Sequence, residues 1–192
     1  MTSLIHFNGH AHALQGLPPG FEHSVRPLSR SPIQRILLVT DGTVTEILEA
    51  FTGESMRLIK LHEELATIEH DLPELELPAG ETVLRRKILL QGRMSLTNFL
   101  YADSYVTVNR LDDWMRRGLL ESHKPIGFLM QEHRLETFRE ILKCGRELAG
   151  QLGTYFDADD NAAMIWRTYR VISDGQPIML ITEKFPEDYF AL

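Results

Sequence analysis

The chain has 192 residues, of which 43% are hydrophobic and 24% charged. That balance excludes a disordered chain, a collagen-like fibre and a disulfide scaffold. Its one cysteine, Cys144, cannot close an internal disulfide, no run of ~18 apolar residues is available to span a membrane, and a net charge of −7 without a basic run argues against nonspecific nucleic-acid binding. Residues 1–30 are rich in Gly, Pro, His and Ser, show no apolar period and read as a loose arm ahead of a single domain over 31–192. The start, Met1 to His6, lacks the basic-then-apolar layout of a signal peptide, so a cytoplasmic, reducing setting is expected. His6, His10 and His12 invite a metal reading, but terminal histidines among Gly and Asn are more often solvated, and no metal is expected.

Ser31-Pro32-Ile33-Gln34 opens a helix well, with serine as cap and proline in the first turn. Asp41-Gly42 breaks it. Thr43 then caps a second short helix over 44–51, which ends at Thr52-Gly53, so the two helices form a hairpin. Residues 56–68 fit a strand or a helix, and strand is favoured. Residues 75–81 carry Pro and Gly and read as a loop. Residues 82–90 and 96–108 are strand-like, joined by Gly92-Arg93-Met94-Ser95. Residues 111–120 read as a helix, with Asp112 and Asp113 first and Arg116 and Arg117 last, as the helix dipole favours. Pro125-Ile126-Gly127 interrupts the chain. Residues 135–148 fit a helix by Leu135, Phe138, Leu142 and Leu148, and a strand by the alternation of Phe138, Glu140, Leu142 and Cys144. Two last apolar runs, 166–172 and 177–185, flank Ser173-Asp174-Gly175-Gln176; Asp-Gly between such runs is a strong hairpin signal. Strand pairs on short loops, with helices segregated elsewhere, predict an α+β fold with an antiparallel sheet.

Two charges stand out because strand side chains alternate between faces. Leu84, Arg86, Ile88 and Leu90 share one face, so Arg86 points to the apolar side. Met179, Ile181, Glu183 and Phe185 share another, so Glu183 does the same. A two-residue turn at Asp174-Gly175 would set Arg170 opposite Met179 and Trp166 opposite Glu183, placing Trp166, Thr168 and Arg170 on the Glu183 surface. Unpaired buried charges cost several kcal/mol, so something must compensate these two. Either Arg86 and Glu183 pair with each other, or they flank a pocket in which the guanidinium grips a ligand carboxylate and the carboxyl moves a proton.

At these residues the sequence resembles the chorismate pyruvate-lyase (4-hydroxybenzoate synthase) family, in its longer branch. Arg86-Lys87-Ile88-Leu89-Leu90 is similar to the family's Arg-x-Ile-Leu-Leu strand. The run from Arg167 through Asp174-Gly175 to Thr182-Glu183 is similar to its terminal hairpin. Lys124-Pro125-Ile126-Gly127 and Asp41-Gly42-Thr43-Val44-Thr45 resemble two of its turns, and the matches run in order over about residues 32–190. The resemblance implies a single antiparallel β-sheet with two helix-turn-helix flaps over an internal site, and makes 135–148 partly strand. It implies cofactor-free loss of pyruvate from chorismate to give 4-hydroxybenzoate, without nucleic-acid or membrane partners. Arg86 would hold the ring carboxylate beside a backbone N–H near Ile126, and Glu183 would face the 4-hydroxyl with a backbone group near Val44 and act as general acid or proton shuttle. In the strand Leu100-Tyr101-Ala102-Asp103-Ser104 the chain departs from the shorter branch, with Asp103 at or beside an arginine position. An acid cannot hold the enolpyruvyl carboxylate, and Arg170 is the replacement candidate. A lone cysteine among leucines makes Cys144 a core residue rather than a nucleophile.

Two other readings exist. Effector domains of some bacterial transcription regulators resemble this fold, so a non-catalytic carboxylate sensor is one alternative; the first 30 residues are too few and too loose for the DNA-binding domain that normally precedes it. A lyase acting on a chorismate relative is the other, since Arg86 would serve it equally.

Overall fold

The structure, a computed structural model, describes residues 31–121, 126–132 and 134–191. The arm with His6, His10 and His12, and Lys124 and Pro125, lie outside the described residues. Helix α1, Pro32–Val39, starts in a capping box: Ser31 Oγ accepts from the Gln34 N–H at 3.3 Å and Gln34 Oε1 accepts from the Ser31 N–H at 3.2 Å. Helix α2, Val44–Thr52, stops at Gly53, whose φ of 73° suits a left-handed cap. Thr43 precedes α2 at the cap position, but its side chain makes no capping hydrogen bond. Its methyl instead meets Gly127, where a Cβ would lie 3.0 Å away.

Six strands follow: β1 Met56–Thr67, β2 Thr82–Gly92, β3 Asn98–Val106, β4 Phe138–Leu148, β5 Ala163–Ser173 and β6 Gln176–Pro186. They form one antiparallel sheet in the order β1-β2-β3-β6-β5-β4. Two three-stranded meanders thus meet through β3 and β6. Between them run α3, Asp113–Glu121, and α4, Ile126–Glu132, the second helical hairpin. Asp112 Oδ1 caps α3 by accepting from the Met115 N–H at 2.7 Å. Ile126-Gly127 therefore opens a helix rather than interrupting the chain.

Both helical hairpins bury their apolar stripes on the same sheet face. Leu37, Leu38, Leu48, Met115, Leu119, Leu129 and Met130 join Leu84, Leu100, Val106, Ile165, Met179 and Phe185 in one core. The opposite face is polar at its centre and carries two small apolar clusters, around Met164 with Phe156 and around Leu75 with Val83. No helix among the described residues is long and apolar enough to cross a membrane.

Residues 138–148 settle as strand, because tertiary pairing decides where local periodicity is divided. A bulge between Ile141 and Lys143 lets Arg139, Ile141 and Cys144 stand opposite Val171, Tyr169 and Arg167 on β5. Phe138 and Leu148, which a helix would bury, are 55% and 62% exposed.

The β5–β6 hairpin has the expected two-residue turn, with Ser173 opposite Gln176 and positive φ at Asp174 (50°) and Gly175 (74°). The expected register beyond it is wrong by one residue. Ile172 faces Pro177, but Val171 faces Met179, so Ile178 is an extra residue in β6. Its carbonyl accepts from both the N–H (3.0 Å) and the Oγ1 (2.9 Å) of Thr107, which secures the bulge. Arg167, not Trp166, consequently stands opposite Glu183, and Arg170 stands opposite Leu180.

Gly153 sits in a two-turn 3-10 helix, Gly150–Tyr155, that covers the outer-face cluster. A Cβ there would be 2.5 Å from the Ala158 carbonyl oxygen. Gly153→Ala is expected to cost about 1–3 kcal/mol, read as a melting temperature several degrees lower, with ligand binding intact.

Candidate active site

A cavity lies between the sheet and the tips of both helical hairpins. Its floor is the inward face of four strands: Arg86, Ile88 and Leu90 from β2, Leu100, Ala102 and Ser104 from β3, Ile181 and Glu183 from β6, and Tyr169 and Val171 from β5. Its roof is Gly42–Thr45 at the start of α2 and Ile126, Gly127 and Met130 of α4. Arg139 of β4 closes one side. The space between these walls is partly open to solvent.

Arg86 is 1% exposed, a guanidinium inside an apolar wall. It is tolerated because Glu63, directly opposite it on β1, accepts from its Nε at 2.7 Å. Lys60 holds the other Glu63 oxygen at 2.9 Å. Burial pulls the Arg86 pKa down from the usual arginine value, and Glu63 opposes that pull. The Nη2 of Arg86 is buried with no hydrogen-bond partner. A buried, unpaired guanidinium nitrogen at a cavity wall is a vacant donor for an anion.

Glu183 is the matching acid, 7% exposed. Its Oε2 accepts from Arg167 Nε at 2.8 Å and its Oε1 accepts from the Tyr169 hydroxyl at 3.0 Å. Burial first, and the negative Glu183 second, push the Tyr169 phenol upward, so it remains a donor. Arg167 also covers the Tyr169 ring, 4.9 Å from its centroid, and donates from Nη1 to the Thr40 carbonyl at 2.6 Å. This links the acid to the turn between α1 and α2. Two donors on one carboxylate fix its orientation in the cavity wall. Arg86 and Glu183 do not pair with each other: each has its own partner, and β3 lies between their strands.

The sequence-expected residues are thus partly assembled. Arg86, Glu183, Val44 and Ile126 all line the cavity. Arg170 does not. The Ile178 bulge turns it to the opposite face, where its Nε donates to Glu140 at 2.5 Å and its Nη1 lies 3.8 Å from Glu76. Asp103 also points away, toward Arg85 (3.7 Å) and Lys87 (4.0 Å), and Ala102 and Ser104 are what β3 shows to the cavity. Cys144 is part-buried against the core, with its thiol pushed up to about 12 by burial, as fits a packing residue. Glu63, Arg139, Arg167 and Tyr169 went unread in the sequence. The signal for Glu63 was an acid on the apolar parity of β1, obscured by the bulge between Lys60 and His62.

The family model described as chorismate pyruvate-lyase Rv2949c-like matches residues 38–191. The chorismate pyruvate-lyase of Mycobacterium leprae is 32% identical over 172 residues, 86% of this chain and 82% of that protein. That of Mycobacterium tuberculosis is 31% identical over 174 residues, 88% and 86% respectively. Among solved structures, the effector domain of PhnF from Mycobacterium smegmatis superposes with a TM-score of 0.63 at 17% identity, covering 79% of this chain and 92% of that one. The C-terminal domain of the histidine utilization repressor from Pseudomonas syringae gives 0.52 at 15%, covering 69% and 92%. Likeness at that identity shows a shared α+β fold, whereas the extended sequence match carries an enzyme: the chain belongs to the Rv2949c-like chorismate pyruvate-lyase family.

Proposed function

We propose that this protein eliminates pyruvate from chorismate to give 4-hydroxybenzoate, with Arg86 holding the ring carboxylate and Glu183 moving the proton. The observation that carries the reading is one cavity with a vacant buried guanidinium nitrogen on one wall and a twice-bonded carboxylate on another, separated by apolar residues. Ile88, Leu90, Leu100 and Ala102 suit the faces of a ring. The backbone N–H of Ile126 joins Arg86 at the ring carboxylate. Val44 and Thr45, in the first turn of α2, line the cavity and have N–H groups without intrahelical acceptors, which would serve the hydroxyl end.

The chemistry needs no co-reactant. The ring carbon bearing the hydroxyl loses its proton to Glu183. The C–H electron pair becomes a ring π bond, and the adjacent ether C–O bond breaks, its pair leaving on oxygen as enolpyruvate. Glu183 returns the proton to the enolpyruvate methylene, which gives pyruvate. Aromatisation drives the step, so the protein mainly selects one substrate conformer and relays one proton.

The test is to mix purified protein with chorismate and follow 4-hydroxybenzoate and pyruvate by chromatography. Equal amounts of both are expected. Tight 4-hydroxybenzoate binding without turnover would favour a sensor, consistent with the regulator-domain fold neighbours. Turnover only of an amino-substituted or isomeric chorismate would favour the relative-substrate reading. Because the two hairpins meet over the cavity at Thr43 and Gly127, product release is expected to be slow. A stopped-flow record should show a burst of 4-hydroxybenzoate close to one per site before a slower steady state.

A further inference from the structure

We propose that Arg139 is the second carboxylate anchor of this site, binding the side-chain carboxylate of a doubly charged ring substrate; this rests on the lyase reading above. Three charged side chains line the cavity among the described residues: Arg86, Arg139 and Glu183. Arg86 is neutralised by Glu63 and Glu183 by Arg167. Arg139 has no carboxylate partner among the described residues; its Nη1 donates to the Asp41 carbonyl at 2.7 Å. A lone cation on a ligand cavity, with an unused Nε and Nη2, is an anion site in want of its anion.

Its position is also right for a dianion. Arg139 stands opposite Val171, on the same face as Tyr169 two residues earlier on β5. Tyr169 donates to Glu183, so this neighbourhood is the Glu183 end of the cavity. Arg86 is on β2, on the far side of β3 and β6 from β5 and β4. Two cations at separated points on one cavity fit a ring with one carboxylate attached directly and a second on a side arm. Strand β3, which lies between Arg86 and Glu183, contributes Leu100, Ala102 and Ser104 and no cation. The bond to Asp41 adds a further consequence. The same guanidinium that grips the side arm ties down the turn between α1 and α2, so ligand and roof are held by one group.

The test compares two stable probes by titration calorimetry: 4-hydroxybenzoate, with one carboxylate, and 3-(carboxymethoxy)-4-hydroxybenzoate, with two. The wild-type chain is expected to prefer the dianion. Arg139→Gln should weaken dianion binding roughly 10- to 150-fold, the loss of one charge-assisted contact, and leave the monoanion within about threefold. Arg139→Lys should restore part of the preference. The proposal is overturned by a wild-type chain indifferent to the second carboxylate, by Arg139→Gln leaving that preference intact, or by equal loss of both probes in the Gln and Lys variants. Monoanion binding doubles as the control for folding. A wild-type chain that does not turn over chorismate would sink the lyase reading while leaving this binding contrast to be read.

Discussion

Glu183→Gln is expected to lower turnover of chorismate by about 10²- to 10⁴-fold while 4-hydroxybenzoate still binds. The substitution keeps the shape of the side chain and one carbonyl oxygen. That oxygen can still accept from Arg167 or from Tyr169, so the wall of the cavity survives. What it loses is the capacity to take a proton from the ring carbon and hand it to the departing enolpyruvate. The amide also leaves the Arg167 guanidinium without its counter-charge at a site 0% exposed, so a lower melting temperature accompanies the kinetic loss. The two effects separate experimentally. Product affinity from calorimetry reports whether the site is formed, and single-turnover kinetics report the chemistry. Near-normal turnover in a variant that binds product would remove Glu183 from the reaction and leave a concerted elimination in which the protein only positions the substrate.

Arg86→Gln is expected to weaken substrate and product together, by on the order of 10²-fold or more, since both carry the ring carboxylate. The effect differs in kind from that at Glu183, because here affinity falls and not only rate. Glu63 loses its buried partner but keeps Lys60 at 2.9 Å, which limits the folding penalty. Arg86→Lys should recover little. A lysine ammonium is a point charge on a flexible stem and cannot bond Glu63 and a ligand carboxylate at once in the planar geometry that the guanidinium provides. Unchanged 4-hydroxybenzoate affinity in either variant would show that the carboxylate is held elsewhere.

The two residues behind these expectations were legible because each sits in an unbroken alternation. Leu84, Arg86, Ile88 and Leu90 run without a bulge, as do Met179, Ile181, Glu183 and Phe185, so parity alone placed both charges inward. Parity fails wherever one residue is inserted, and the partners of both charges lie beyond such insertions. Arg167 was hidden by the bulge at Ile178, which depends on Thr107, far away in sequence. Glu63 follows the bulge in β1, and Arg139 precedes the one in β4, in a stretch whose spacing fits a helix as well as a strand. Capping and turn chemistry, being local, were readable at Ser31, Gly53 and Asp174-Gly175. The cap expected of Thr43 failed for the opposite reason: its environment is set by Gly127, in another hairpin.

The bulge at Ile178 makes the last hairpin intolerant of small changes in length. Removing one residue between Gly175 and Ile181 would flip the inward set of β6 for the outward set. Lys184 and Thr182 would then enter the chamber, and Glu183 would emerge on the side that now carries Lys184 and Glu147. Such a deletion mutant would keep its turn and most of its strand pairing and yet present a cation where the proton carrier belongs. Length variation among descendants of this chain should therefore accumulate away from 175–181, even where side-chain identity in that stretch drifts.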